Sequence, residues 1–358
     1  MFPRAPEDVT AAWLDGVLRD SGALRAGRLA GFESAVVGTG QMGTSVRYAL
    51  SYDGDAAAAP RSVVCKFASS DPTSRSTGVT LRTYEVEVSF YRDVARTVGM
   101  TIPACHAAEI DLATGEFVLV LEDLAPCVQG DQLAGCTVDQ AALAMDELAK
   151  LHAPRWNDPA LATVEWLNRN GTEQSQAFSE MFLPQLLPGF LERYADRLTA
   201  EEVRLAELLM QRIGRFIRDR PGPRAVQHGD YRLDNMLFGT PDGGHPLAVV
   251  DWQTVVWGPP AFDASYFLGA GLQVDDRRKA ERDLLRRYHE GLRAGGVGDY
   301  PWDDLWLDYR RYAFGGFLMA LGASMMVVQT ERGDDMFMTM IRRHGAQIAD
   351  LDAAELLA

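Results

Sequence analysis

One polar segment of this 358-residue chain, residues 227–253, constrains the fold more than any other feature. It reads QHGDYRLDNMLFGTPDGGHPLAVVDWQ and lies in a region that otherwise has the pattern of helices. Asn235 follows Asp230 by five residues, and two short apolar runs around a GTPDGGHP turn predict a β-hairpin over residues 236–250. The loop presents Asp230 and Asn235 from one tight turn. The hairpin then returns the chain so that Asp251 faces the same point.

These side-chain types match the requirements of phosphoryl transfer. A carboxylate must accept the hydroxyl proton of the nucleophile, and an amide with a second carboxylate must hold Mg²⁺ against the nucleotide phosphates. The alternative is a polar loop followed by an acidic turn, which each residue taken alone would favour. The ordered set, in a loop–strand–turn–strand context, favours phosphoryl transfer.

The run HGDYRLDN followed by VVDWQ resembles the aminoglycoside phosphotransferase and choline kinase-like family, a branch of the protein-kinase-like fold. The same pattern also resembles the ecdysteroid kinase-like proteins. The resemblance implies that Asp230 is the catalytic base and that Asn235 and Asp251 are Mg²⁺ ligands. It further implies that His228 braces the loop and that Asp263 anchors the loop without touching the substrate.

A glycine-rich turn, GTGQMG at residues 38–43, is a second motif, built on Gly38, Gly40 and Gly43. Taken alone it also fits a dinucleotide-binding turn, in which a helix begins at the third glycine. Residues 44–50 alternate instead, which predicts a strand–turn–strand cover for phosphates of the kinase type. An ordinary glycine-rich hairpin is the remaining alternative.

A lysine within an apolar strand is the third element. Lys66 lies in VVCKF, which is similar to the kinase VAIK strand, and is predicted to bind the α- and β-phosphates. Its expected partner is Glu87, which resembles the family's helix glutamate in an E-x-x-F-Y pattern, with Glu85 as the second choice. The alternative for Lys66 is a surface lysine on an edge strand. The alternative for Glu87 is a position on a solvated helix face.

The resemblance also implies a hinge at residues 118–124, VLVLEDL, after the last strand of the first lobe. Backbone groups from Glu122 to Leu124 are then expected to bind the adenine edge. Backbone contacts leave little side-chain signature, so this expectation depends on position in the chain.

The predicted secondary structure changes near residue 124, from mostly strands to mostly helices. The expected fold is α+β, with two lobes of the protein-kinase-like type: residues 1–124 form an antiparallel-sheet N-lobe and residues 125–358 a mainly helical C-lobe. Residues 69–78 are expected to form a polar loop, followed by one helix over 81–98. Further helices are expected at 174–195, 199–219, 276–294, 302–329 and 334–357.

Composition limits the classes of partner. Lys and Arg total 35 against 50 Asp and Glu, a net charge of −15, and so acidic a surface repels a nucleic-acid backbone. An uncharged, mostly apolar run, residues 313–328, is shorter than the roughly 20 residues of a membrane span and is expected to be a buried helix. The first residues carry acidic side chains and lack a long apolar segment, so we do not expect a signal peptide there. Neither nucleic acid nor membrane is therefore an expected partner, and a cytoplasmic location is expected.

The expected activity is transfer of the γ-phosphate of ATP, with Mg²⁺, to a hydroxyl group of a small molecule. ATP and GTP are both open as the phosphoryl donor, and the identity of the acceptor is open as well. Two alternatives remain open: a pseudokinase that binds nucleotide without turnover, and adenylyl transfer on the same fold.

Overall fold

Five strands in the first third of the chain form one antiparallel sheet in the order β1-β2-β3-β5-β4. The structure, a computed structural model, describes residues 2–38 and 42–357. The strands are β1 (Arg28–Val37), β2 (Gly43–Asp53), β3 (Ser62–Ala68), β4 (Cys105–Asp111) and β5 (Glu116–Glu122). The hairpin expected on either side of the glycine turn is present, with Val36 opposite Val46. β4 has no counterpart among the sequence-based strands.

The side chains of β3 alternate between the two faces of the sheet. Val63, Cys65 and Phe67 are buried on one face, in a core shared with Leu14 and Leu18 of α1 (Ala11–Asp20). Lys66 lies on the opposite face because successive side chains of a strand point to opposite sides. That opposite face is covered by the helix that carries Glu87.

Two helices follow β3 where a polar loop and then one long helix were expected. The loop prediction is wrong for most of residues 69–78, which form α2 (Pro72–Thr80). The side chain of Asp71 caps this helix by accepting a hydrogen bond from Ser74 N at 2.7 Å. Proline is favoured in the first helical turn, since its missing N–H would be unpaired there in any case.

The second of these helices is shorter than predicted. α3 (Thr83–Ser89) continues into a π-helical turn, Phe90–Val94, and then a 3₁₀ turn, Ala95–Thr97. Single π turns inside helices are often found at functional sites.

The remainder is mainly helical. Its helices are α4 (Val138–His152), α5 (Glu173–Arg193), α6 (Ala200–Gln211), α7 (Ile213–Arg218), α8 (Pro260–Gly271), α9 (Val274–Ala294), α10 (Trp302–Arg311), α11 (Phe314–Met326), α12 (Glu331–Asp350) and α13 (Ala353–Leu357). Short strands lie between them: β6 (Val128–Gln129), β7 (Ala225–Gln227), β8 (Met236–Thr240), β9 (Gly243–Val249) and β10 (Val256–Gly258). β8 and β9 form the expected hairpin, with Met236 opposite Val249.

Three predicted long helices are interrupted. The helices expected at 199–219, 302–329 and 334–357 each form two separate helices. In the second case α11 begins with Gly315 and Gly316 against the rings of Phe262 and His344, where an added Cβ would overlap them. Close contact between α11, α8 and α12 therefore requires small residues at this point.

The architecture confirms the α+β prediction: an antiparallel sheet is followed by a largely helical region. The uncharged run at 313–328 forms α11, and Phe314, Phe317 and Leu321 are buried there. Within the described ranges, no helix is long and apolar enough to cross a membrane. A lobe boundary at residue 124 stays a prediction.

Candidate active site

One carboxylate of α8 holds the backbone of the loop between β7 and β8. Asp263 of α8 accepts hydrogen bonds from the backbone N–H groups of His228 at 2.6 Å and Gly229 at 2.9 Å. Gly229 has φ +83°, and a Cβ there would lie 2.8 Å from the carbonyl oxygen of Thr254. Buried His152 contacts the same carboxylate at 3.3 Å. Asp263 therefore has the anchoring position that the family resemblance implied.

Asp230 is partly buried and accepts hydrogen bonds from three side chains. Tyr266 donates to Oδ1 at 2.7 Å, while Arg232 Nε and Asn235 Nδ2 each donate to Oδ2 at 3.0 Å. Burial alone would raise the pKa of Asp230, but the Arg232 charge and the bonds from Tyr266 and Arg232 outweigh it and lower that pKa. The carboxylate is therefore ionised and held in one orientation.

The β8–β9 hairpin brings Asn235 and Asp251 to the same end. The backbone N–H of Val250 donates to the Asn235 carbonyl at 3.0 Å, directly before Asp251. Asp251 has φ +69°, a left-handed conformation that a non-glycine residue seldom adopts. Its Oδ1 accepts from Lys66 and its Oδ2 from Gln253 at 3.2 Å.

The donor chemistry at this point fits a hard divalent cation. Carboxylate and amide oxygens are ligands that Mg²⁺ accepts. Asn235 uses its amide nitrogen for Asp230, and its Oδ1 has no hydrogen-bond partner within residues 2–38 and 42–357. No group of three His, Cys, Asp or Glu side chains in those ranges could hold a metal ion. A cation here would need further oxygens, such as those of phosphates.

Lys66 joins the sheet to the hairpin. Its Nζ lies 2.7 Å from Glu87 Oε2 and 2.9 Å from Asp251 Oδ1, and its side chain is 15% exposed. Burial alone would lower the pKa of Lys66, but the charges of Asp251 and Glu87 outweigh it and raise that pKa, so the amine is protonated. Glu85, the second choice, pairs instead with Arg82 at 2.8 Å.

A ring stack reinforces this connection. Phe90, in the π turn after Glu87, stacks on Trp252 with ring centroids 3.9 Å apart and an interplanar angle of 6°. Trp252 follows Asp251 directly and is fully buried. Both the salt bridges and the stack therefore connect the sheet side to the Asp251 turn.

The glycine turn is described on both sides. Gly38 has φ +76°, and an added Cβ at Gly43 would lie 2.9 Å from the Phe67 carbonyl oxygen and 3.3 Å from Lys66 Cε. Gly43 therefore permits β2 to approach the strand that carries Lys66. A strand begins at Gly43, which contradicts the dinucleotide alternative because that site needs a helix. Gly40 lies outside the described residues.

The segment expected as a hinge leaves β5 as a turn. Glu122 N–H donates to the Ala104 carbonyl, and the Leu124 carbonyl accepts from Cys127. Asp123 is buried against Arg47 and accepts from Ser62 at 2.7 Å. The N–H of Leu124 has no hydrogen-bond partner in the described part of the chain.

Sequence reasoning missed two side chains that contact Asp230. Tyr266 lies three residues after Asp263, so both side chains fall on one face of α8. That spacing is visible in the sequence, but nothing in the sequence shows that the face meets the loop. Arg232 also bonds Asp234 at 2.9 Å, and this pairing depends on the loop conformation.

Comparison with solved structures shows the same fold. The ethanolamine kinase of Plasmodium vivax has a TM-score of 0.51 at 10% identity, over 90% of this chain and 83% of that one. The ADP-bound aminoglycoside phosphotransferase APH(2'')-Ib has a TM-score of 0.50 at 14% identity, over 94% of this chain and 99% of that one.

At the sequence level, an uncharacterised kinase-like protein of Caenorhabditis elegans is 25% identical over 224 residues. The match covers 58% of this chain and 56% of that protein, so the chain spans little more than half of this relative's length. The model of the ecdysteroid kinase-like family matches residues 38–295, from the glycine turn to the end of α9. The chain therefore belongs to the ecdysteroid kinase-like family of the kinase-like, two-lobed fold.

Proposed function

We propose that this protein is a small-molecule kinase that moves the γ-phosphate of ATP to a hydroxyl group. The observation that carries the proposal is the position of Lys66, within 2.9 Å of both Glu87 and Asp251. This contact connects an N-lobe cation to the hairpin carboxylate and leaves Asp230 on the adjoining loop. A pseudokinase that had lost turnover would not need an intact base, amide and carboxylate beside that lysine.

The mechanism is positioning with charge neutralisation. Asp230 orients the acceptor hydroxyl and takes its proton as the acceptor oxygen bonds to the γ-phosphorus. Lys66, drawn to Glu87, contributes positive charge to the α- and β-phosphates. Holding both reactants at the distance of reaction supplies much of the rate enhancement in such transfers.

The nucleotide would lie between the sheet and the helical region. Gly38, Gly40 and Gly43 would cover the phosphates. The N–H of Leu124, unpaired among the described residues, supports a hydrogen bond to the adenine edge next to Glu122. The ADP in the structurally similar aminoglycoside phosphotransferase is consistent with nucleotide use. ATP is the proposed donor, and GTP is the competing one.

Asn235 and Asp251 would hold Mg²⁺, since their oxygens suit it and Asn235 Oδ1 is unpaired in the part of the chain that the structure describes. When bound, Mg²⁺ neutralises phosphate charge. The protein's own residues must keep those oxygens in place: Val250 N–H fixes the Asn235 backbone, and Lys66 and Gln253 hold the Asp251 carboxylate.

The acceptor is proposed to be a small alcohol, as in the ethanolamine and aminoglycoside kinases of similar fold. The net charge of −15 makes nucleic acid an improbable partner. A cytoplasmic location without a membrane partner is part of the same proposal.

A screen tests the proposal. Mg-ATP is incubated with a panel of amino alcohols, aminoglycosides, sugars, nucleosides and sterols, and ADP release is followed together with product mass. We expect one alcohol class to gain a single phosphoryl group, and Asp230→Asn to lower the rate by on the order of 10²–10⁴. ATP binding without turnover on any alcohol would favour the pseudokinase, and a product carrying AMP would favour adenylyl transfer.

A further inference from the structure

One turn of α8 holds three consecutive residues, 228–230, of the loop between β7 and β8. Asp263 accepts the backbone N–H groups of His228 and Gly229, and Tyr266, three residues further along the helix, donates to the side chain of Asp230. Every residue of α8 is buried. The helix is thus a rigid base from which both contacts are made.

The orientation of Tyr266 is fixed by its surroundings. Its ring stacks against His344 of α12 at 5.7 Å between centroids and against Phe262 at 6.2 Å. The residue is 2% exposed. The hydroxyl group therefore has little freedom to leave Asp230 Oδ1.

The two oxygens of Asp230 are not equivalent. Oδ2 accepts from Arg232 and Asn235, which fills its two lone pairs, whereas Oδ1 accepts only from Tyr266 among the described residues. A carboxylate oxygen has two acceptor positions. One position on Oδ1 is therefore left for an incoming hydroxyl group.

We propose that Tyr266 is a positioning residue for phosphoryl transfer and that Oδ1 of Asp230 is the atom that receives the acceptor proton. This rests on the function proposed above. The acceptor O–H proton passes to Oδ1 while the acceptor oxygen bonds to the γ-phosphorus. The bond from that phosphorus to the β–γ bridging oxygen breaks, ADP leaves, and Tyr266 keeps its own proton.

The contact matters because carboxylate rotation would exchange the two oxygens. Without the Tyr266 bond, Asp230 is held only through Oδ2, and Oδ1 can turn away from the acceptor. A misplacement of about 1 Å can cost on the order of a hundredfold in rate. The nucleotide side, around Lys66 and Asp251, does not depend on this bond.

The test is Tyr266→Phe, which removes one hydroxyl group from a buried ring. The matched control is Tyr300→Phe, since Tyr300 is also buried and donates to a carboxylate, Asp308, at 2.8 Å. Steady-state rates are measured with the best alcohol from the panel, or as ADP release with water as the acceptor. We expect kcat to fall roughly 10- to 100-fold in Tyr266→Phe with KM for Mg-ATP within about twofold. Tyr300→Phe should keep both values.

A double-mutant cycle separates positioning from damage to α8. If Tyr266 acts through the carboxylate, adding Tyr266→Phe to Asp230→Asn should cost no more than about twofold in kcat. Additive losses, or a Tyr266→Phe enzyme with wild-type kcat, would overturn the inference while Asp230→Asn still reports on the base. Equal rates in wild type and Asp230→Asn would instead reject the proposed function itself.

Discussion

At the residue scale, the site depends on side chains that hold one another. Asp251 and Glu87 together balance the Lys66 ammonium, and Asn235 donates its amide N–H to Asp230 while its Oδ1 has no partner among the described residues. The two expected metal ligands are therefore unequal: one carries a full negative charge, and the other is a neutral oxygen. That difference gives an order of effects that can be measured.

Asp251→Ala should abolish detectable Mg²⁺-dependent ATP binding, because it removes the charged ligand. Asn235→Ala should weaken binding by roughly tenfold, since a neutral amide contributes less to holding a dication. Titration calorimetry with ATP, with and without Mg²⁺, measures both variants. Stronger loss in Asn235→Ala than in Asp251→Ala would contradict the ligand assignment.

At the element scale, the β1–β2 hairpin acts through its closeness to β3. Gly43→Ala would set a Cβ 2.9 Å from the Phe67 carbonyl oxygen and 3.3 Å from Lys66 Cε, so β2 or Lys66 must shift. We expect ATP affinity to fall by on the order of tenfold, equivalent to ~1.4 kcal/mol. Gly31→Ala is the control, because its Cβ would lie 3.5 Å from Ser51 Oγ, an ordinary contact. Equal ATP affinity in both variants, measured by calorimetry, would show that the close approach has no functional role.

The π turn after α3 is the second element that connects the parts of the site. Phe90→Ala removes a fully buried ring from its stack on Trp252 and should lower the free energy of unfolding by about 3–5 kcal/mol. Phe178→Ala is a matched control, since Phe178 also stacks on an aromatic ring, that of Phe182, but is 54% exposed; it should cost about 0.5 kcal/mol or less. Urea unfolding followed by fluorescence gives both values. Similar losses would mean that the Phe90 stack does not support the fold.

The elements that could be predicted from the sequence are those with a local pattern. The loop that carries Asp230 and Asn235, the β8–β9 hairpin and the β3 strand follow from spacing and alternation, which are local. α2 was missed because its polar composition was given more weight than the Asp71–Pro72 start signal. The bond from Tyr266 to Asp230 could not be predicted, because it depends on how α8 packs under the loop, and no pattern within either segment records that packing.

At the scale of the whole molecule, two buried histidines couple folding to pH. Burial lowers the pKa of His344 to about 4, with a smaller opposing effect from the Gln347 hydrogen bond, and burial also lowers the pKa of His152. Both are neutral in the folded state and protonate more readily when unfolded. The unfolded state therefore binds more protons below about pH 6.5, and stability falls as pH decreases.

Protonation of His344 in the unfolded state should by itself lower the free energy of unfolding by about 2 kcal/mol between pH 7 and pH 5. Urea unfolding at the two pH values measures this loss. His344→Asn should show a smaller pH dependence of the unfolding free energy than wild type, whatever its overall stability. An unchanged pH dependence in His344→Asn would mean that His344 does not cause the loss.

We propose that the chain moves the γ-phosphate of a nucleotide to an alcohol, with Asp230 as the base. The most direct measurement compares ATP labelled at the γ-phosphate with ATP labelled at the α-phosphate, using wild type and Asp230→Asn. We expect only the γ-label to enter the alcohol, and we expect Asp230→Asn to slow this transfer by on the order of 10²–10⁴ while still binding ATP. Transfer of the α-label, or γ-transfer within about threefold of wild type in Asp230→Asn, would rule out this reaction with Asp230 as its base.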